Sequence, residues 1–343
     1  MLNEYPSAVI FGCSGLALTD EEKAFFKRVN PLGFILFSRN IATPEQLKTL
    51  IQSLRETAGR EDVPVLIDQE GGRVARLKPP HWPKYPPAGV FGTLYQKEMF
   101  KAEELAYSSA RLIGRDLREL GINVDCAPVL DVPVEGSIDT ILGDRAFSRD
   151  PQLNGPLGKI VCDALMAEGV LPVVKHIPGH GRAVVDSHLE LPEVSTDLET
   201  LKQTDFVPFK YLADAPWGMT AHVMYTAIDP HKPASLSEKV VQDIIRGEIG
   251  FKGFLICDDL SMKALSGALS DLASEAVSAG CDAVLHCNGN MDEMELVASG
   301  VGPVSSRSME RFVRGQKMVA EAVRQTIAFD YKSAEAHISE MTA

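Results

Sequence analysis

No apolar run in this 343-residue chain reaches the ~18 residues that a membrane-spanning helix needs. There is no CxxC pair among its six cysteines, Cys13, Cys126, Cys162, Cys257, Cys281 and Cys287, and most of them lie in apolar runs. This spacing argues against a zinc site and reads as buried, reduced thiols of a cytoplasmic protein. Basic charge is in deficit, with 34 Lys and Arg against 47 Asp and Glu, a net charge of −13. Such a surface disfavours nucleic acid and anionic membranes as partners. An anionic substrate would have to meet arginine or lysine inside a site. GxGxxG and P-loop phosphate cradles are missing, as are HxH, HExxH and GxSxG. No basic stretch precedes the first apolar residues, so no secretory leader is expected. Ile10-Phe11-Gly12-Cys13 faintly resembles a lipoprotein cleavage box, but Glu4 and the missing positive charge favour a first strand.

What is present is a regular alternation. Short apolar runs occur at 8–11, 33–37, 63–67, 122–129, 171–174, 218–223, 254–257 and 283–285. Their near-continuous apolarity suits strands covered on both faces, as in a parallel sheet. Helical patterns separate them. One runs over 20–29 behind Thr19 as N-cap, and another starts at Thr43-Pro44-Glu45 with proline at the first helical position. Others run over 102–120 to Gly121, 157–168 to Gly169, 198–212, 238–248 and 271–279 to Gly280. The eighth helix is either 291–298 or 309–326, and the polar tail beyond Phe329 is a last helix or a frayed end. Eight β/α alternations without a break in composition predict a single (β/α)8 TIM barrel over residues 1–343, with a short C-terminal helical tail. A doubly wound open sheet is the alternative.

In such a barrel the chemistry sits where strands end. Several of the apolar runs end in polar groups: Asp68-Gln69-Glu70, Asp131, Lys175-His176, His222, Asp258-Asp259 and His286. Any one of them could be a helix cap or a satisfied core group. Together they would converge on one pocket of carboxylates and imidazoles. The richest stretch is 175–188, KHIPGHGRAVVDSH, which gathers a lysine, three histidines and an aspartate. Its end places Asp186 two residues before His188, a layout in which a carboxylate can orient and polarise an imidazole. Asp258 offers a carboxylate, and the Asp186/His188 pair a proton donor. One nucleophile and one acid/base suffice for displacement at a sugar anomeric carbon with retention.

These residues resemble glycoside hydrolase family 3, in its β-N-acetylglucosaminidase branch. The resemblance spans residues 7–288 and is carried by GFILFSRN (33–40), IDQEGGRV (67–74), APVLDV (127–132), GDRAF (143–147), the 175–188 loop and CDDLSM (257–262). It implies Asp258 as the nucleophile and His188 as the general acid/base oriented by Asp186. It also implies sugar contacts from Asp68, Arg76, Arg145, Lys175 and His176. Asp259 would then be a helix N-cap, while Asp131 and Arg39 are as well explained by a buried ion pair or a loop anchor. His222 and Met224 would line the pocket wall, and Trp82 and Tyr85, in the proline-rich stretch 79–87, would pack over the barrel mouth.

The same resemblance implies removal of terminal β-linked N-acetylglucosamine from 1,6-anhydro-muropeptides, in peptidoglycan recycling, by a cytoplasmic monomer without metal or cofactor. Ile177 stands where phenylalanine is common, and Arg182-Ala183 replaces an Asp-Thr of some relatives. Arg182 could therefore add charge toward an anionic group of the substrate. Phosphorolysis by the same residues, a non-catalytic sugar-binding protein and a metal-dependent amidohydrolase are the alternatives.

Overall fold

A computed structural model describes residues 5–137, 142–187 and 189–342. Eight parallel strands close on themselves: β1 (Ser7–Gly12), β2 (Pro31–Leu36), β3 (Val65–Ile67), β4 (Val124–Asp125), β5 (Leu171–Ile177), β6 (Trp217–Thr220), β7 (Phe254–Asp259) and β8 (Ala283–His286). They stand in chain order around the barrel, and β8 pairs with β1 (Val9 opposite Val284). This is the (β/α)8 barrel predicted from the apolar runs, not the open sheet. Each of the eight runs overlaps the strand expected of it, most of the strands reaching a residue or more beyond the run. The longest run, 122–129, keeps only two residues of regular strand.

Period-two alternation sorts each strand into two sets. Ala8, Ile10, Ile35, Leu66, Leu171, Val173, Trp217, Met219, Phe254, Ile256, Ala283 and Leu285 fill the barrel interior. Val9, Phe11, Phe34, Val65, Ile67, Val174, Leu255 and Val284 belong to the layer beneath the helices. The helix Ser306–Gln325 closes the bottom. Its Phe312 ring lies 5.8 Å from the rings of both Trp217 and Phe254. With that end stoppered, a ligand can enter only at the C-terminal ends of the strands.

The helices follow their caps. The Thr19 side chain accepts from Glu22 N–H and the Glu22 side chain returns the bond, so helix Asp20–Val29 begins where expected. Met99–Leu120 stops at Gly121, which takes the left-handed conformation. Three helical expectations change. Pro151–Ala167 starts ahead of residue 157, because Asp150 caps it and Pro151 takes the first helical position; Pro156 is carried inside. The 198–212 pattern splits into Leu198–Gln203 and Val207–Tyr211, as the backbone of Thr204 leaves the helical region. Val240–Glu248 winds as a π-helix. Both candidates for the eighth helix form, as Met291–Gly300 and Ser306–Gln325, and the tail adds Tyr331–Thr342. Arg115 ties that tail to Met99–Leu120 through Glu335, at 2.6 Å. No described helix is long and apolar enough to cross a membrane.

Candidate active site

The interior series of three strands run upward into charge. Leu66 is followed at the same face by Asp68 and Glu70, Leu171 and Val173 by Lys175, and Phe254 and Ile256 by Asp258. Below the rim the series is apolar; at the rim it is ionic. There the side chains line a cleft of ≈ 320 Å³, with Arg76, Arg145, His176, His180 and Ser187 around it and Phe37, Val74, Met219 and Met262 as its apolar wall.

The floor is a chain of alternating charges. Arg76 donates from Nη2 to Asp68 Oδ2 at 3.0 Å, and Lys175 Nζ lies 2.9 Å from Asp68 Oδ1 and 2.7 Å from Glu70 Oε1. Glu70 in turn accepts two bonds from Arg145, from Nε and Nη2, each at 2.8 Å. Burial alone would raise the Asp68 carboxyl, but Lys175 and Arg76 outweigh it and hold the group far below the usual carboxylate range. Glu70 is lowered in the same way, its burial offset by Lys175 and Arg145. Burial would lower Lys175, yet Asp68 and Glu70 raise it above its ordinary value. At neutral pH this floor is fully ionised, so it can present both charge-assisted donors and acceptors to sugar hydroxyls.

Asp258 sits at the top of β7 with its Oδ1 accepting the Asp259 N–H at 2.8 Å. Burial pushes its carboxyl up, but His222, His176, that backbone N–H and Lys175 together bring it below the usual range. It is thus an anion in a cleft closed at the bottom, the state a nucleophile needs. Asp259 borders the same cleft but is tied down: it accepts from Ser261 N–H and Oγ and from Cys287 N–H. It is not the helix N-cap expected of it, because a turn follows and the next helix, Leu269–Ala279, starts behind Ala268.

His176 meets Asp131 through Nδ1 at 2.6 Å. Asp131 is fully buried and also accepts the backbone N–H of His176 and of His180, at 3.2 and 2.6 Å. It is a loop anchor. Arg39 is another, donating to the carbonyls of Cys13 and Cys287.

The 175–188 loop is pinned in its first half. Tyr225 donates its hydroxyl to Gly179 O, and Val134 N–H donates to Gly181 O at 3.3 Å. A Cβ on Gly181 would stand 1.9 Å from Val132 O, so only glycine lets the two backbones meet there. Arg182 donates to Asp205 at 2.7 Å and to Thr204 at 3.0 Å. Its charge is committed to the scaffold, against the expectation that it reaches toward the substrate. Farther on, Ser187 lines the cleft and accepts Ala264 N–H on its carbonyl at 3.1 Å, which docks the loop beside the segment that follows Asp258. Asp186 is half-buried next to it. His188 lies outside the described residues. Burial, with His176 nearby, lowers His180 to about 4, so this imidazole is neutral at physiological pH.

The structure therefore brings Asp68, Arg76, Arg145, Lys175, His176 and Asp258 to one cleft. His222 does not line it. It is fully buried behind Asp258, between Ser235 Oγ and Asp259 O, and Met219 takes the wall position expected of Met224. Tyr85 and Trp82 are buried packing groups, Tyr85 with its hydroxyl on Asp116 at 2.6 Å. Glu70 was expected among the polar groups converging on the pocket but not among the sugar contacts, although its spacing of two from Asp68 puts both side chains on the inward face. No cluster able to hold a metal ion occurs among the described residues.

A parallel barrel with an ionised carboxylate and a saccharide-sized ionic cleft at its C-terminal rim has the layout of a glycoside-cleaving enzyme. The chain belongs to glycoside hydrolase family 3: residues 9–320 match the Glycosyl hydrolase family 3 N terminal domain. It is 37% identical over 284 residues to a Beta-hexosaminidase of Alkalilimnicola ehrlichii, covering 82% of this chain and 80% of that one. A Beta-hexosaminidase of Chromobacterium violaceum is 34% identical, with 97% and 94% covered. Among solved structures, NagZ from Neisseria gonorrhoeae in complex with N-trifluoroacetyl-D-glucosamine is similar at a TM-score of 0.87, with 32% identity and 99% of each chain covered.

Proposed function

We propose that the chain is a β-N-acetylhexosaminidase that removes terminal β-linked N-acetylglucosamine with retention of configuration, and that the whole chain forms one catalytic unit. The enzyme class rests on the family and on the whole-length similarity to proteins named Beta-hexosaminidase. The observation that supports the mechanism is the half-buried, ionised Asp258 at the end of β7, facing a cleft whose floor carries the charge-assisted partners of a sugar.

In the first step an Asp258 oxygen bonds to the anomeric carbon as the glycosidic C–O bond breaks. The imidazolium of His188 gives its proton to the departing oxygen. In the second step neutral His188 takes a proton from water, whose oxygen bonds to the same carbon as the Asp258–carbon bond breaks. Two inversions give retention. Asp186 orients the imidazole and favours its charged form. Asp68, Arg76, Arg145, Lys175 and His176 hold the sugar. The physiological substrate in this reading is a 1,6-anhydro-muropeptide of peptidoglycan recycling in the cytoplasm.

Following a β-N-acetylglucosaminide by proton NMR in buffer with and without phosphate tests this reading. The expected first product is the β-anomer of free N-acetylglucosamine in both buffers. An α-anomer would overturn the double displacement, and a sugar phosphate would overturn hydrolysis in favour of phosphorolysis.

A further inference from the structure

The cleft floor contains one carboxylate more than the proposed sugar contacts use. The Glu70 side chain is 6% exposed, and it bonds Arg145 and Lys175 at once. The Arg145 contact is a fork of two parallel N–H···O bonds, which fixes both the position and the plane of the guanidinium. Arg145 needs such a fixture. It comes from a single 3-10 turn, Gly143–Arg145, and not from a strand of the barrel. Lys175 is held by Asp68 as well as by Glu70.

Glu70 itself is rigidly mounted. It lies in a small hairpin, Gln69–Gly71 against Val74–Ala75. Gln69 pins the hairpin by accepting the N–H groups of Arg76 and Leu77 and donating to Leu77 O. Gly71 adopts φ +92°, and a Cβ there would come within 2.4 Å of Pro86 O, so the proline-rich stretch clamps the hairpin from outside. Neither Gln69 nor Gly71 can shift without breaking this clamp, and Glu70 between them is placed by both.

We infer that Glu70 is a positioning residue that sets the Arg145 guanidinium for the sugar, an inference that rests on the β-N-acetylhexosaminidase reading above. Glu70→Gln keeps the shape but sets an amide N–H against the guanidinium and removes the charge that directs it. A displacement of about 1 Å in a substrate-positioning group costs on the order of 10²-fold. The loss in kcat/KM should be of that size and carried mainly by KM, with the inhibition constant of free N-acetylglucosamine rising in parallel.

A purely structural ion pair would move the melting temperature and leave this split absent. The decisive measurement is a double-mutant cycle with Arg145→Met. If Glu70 acts through Arg145, adding Glu70→Gln to Arg145→Met lowers kcat/KM by less than about 2-fold, which is about 0.5 kcal/mol and the scatter of such measurements, instead of by its full single-variant loss. Losses that multiply overturn the inference, as does a Glu70→Gln enzyme within that same factor of wild type. Should Glu70→Gln not fold, Glu70→Asp carries the test. It keeps the charge but withdraws the carboxylate by one methylene, and wild-type kinetics in it overturn the inference. A wild type that turns over no β-N-acetylglucosaminide overturns the functional reading and this inference with it. A competent wild type with normal Glu70 variants overturns this inference alone.

Discussion

Replacing Lys175 with methionine should weaken the barrel and disable its cleft together, and the two losses should depend on pH in a definite way. The Lys175 side chain is 3% exposed and lies within 3 Å of two carboxylates, Asp68 at 2.9 Å and Glu70 at 2.7 Å. Removing one member of a buried ionic group strands the others at a cost of about 3–5 kcal/mol. Arg76 and Arg145 remain on the two carboxylates, which argues for the lower end, about 3 kcal/mol. At about 2 °C per kcal/mol for a chain of this size, the melting temperature should fall by roughly 6 °C at pH 7.

The sign with pH follows from the carboxyls. Asp68 and Glu70 are held below their ordinary values in the folded protein. The stability they contribute is present above the unfolded-state pKa of about 4 and is lost as pH falls through their folded values. Without Lys175 that depression is smaller, so the variant has less to lose in acid. The gap between wild type and Lys175→Met should therefore hold from pH 7 to about pH 4 and narrow below that, as pH falls toward the folded values of Asp68 and Glu70. Thermal unfolding across that range, followed by circular dichroism, measures it. An unchanged melting temperature at pH 7, or a gap that widens in acid, would refute the electrostatic reading of the cleft floor.

Other outcomes concern the proton. With Asp258 held below the usual carboxylate range, the acidic limb of kcat/KM should not reflect its titration above about pH 4, where an ordinary carboxyl titrates. The basic limb should report an imidazole, and in Asp186→Asn it should move to lower pH as the charged form loses its partner. A basic limb unmoved by Asp186→Asn would count against the dyad. His188→Ala should lose at least about 10²-fold on an alkyl glycoside and recover much of it on a nitrophenyl glycoside, whose leaving group needs little protonation. Equal losses on both substrates would contradict a general-acid role. Turnover should be undiminished by EDTA, and a loss restored by a divalent cation would revive the metal-dependent alternative.

Much of this could be read in the sequence because a barrel strand is short, apolar and covered on both faces. The same period that fills the interior with Leu66, Val173 and Ile256 delivers Asp68, Lys175 and Asp258 to the rim. What the strand pattern could not supply was contact across the fold. Glu70 finds Arg145 at a separation of 75 residues, and Arg182 finds Asp205 at 23. No local signal distinguishes an arginine that faces a ligand from one that clamps a loop. His222 misled for a related reason: a polar residue at a strand end reads as pocket-lining, yet a serine and a backbone carbonyl satisfy it behind the wall. The helix at 198–212 failed at Thr204, where an unbroken hydrophobic pattern conceals a backbone turn that frees Asp205 to hold Arg182.

The central claim is that Asp258 attacks the anomeric carbon of a β-N-acetylglucosaminide. Turnover of a nitrophenyl β-N-acetylglucosaminide by wild type and by Asp258→Ala, with circular dichroism to establish that both are folded, tests it most directly. The wild type should turn over and the folded Asp258→Ala protein should retain no more than about 10⁻³ of that rate, the scale of losing a covalent nucleophile. An inert wild type, or a folded Asp258→Ala enzyme with near wild-type turnover, would contradict it.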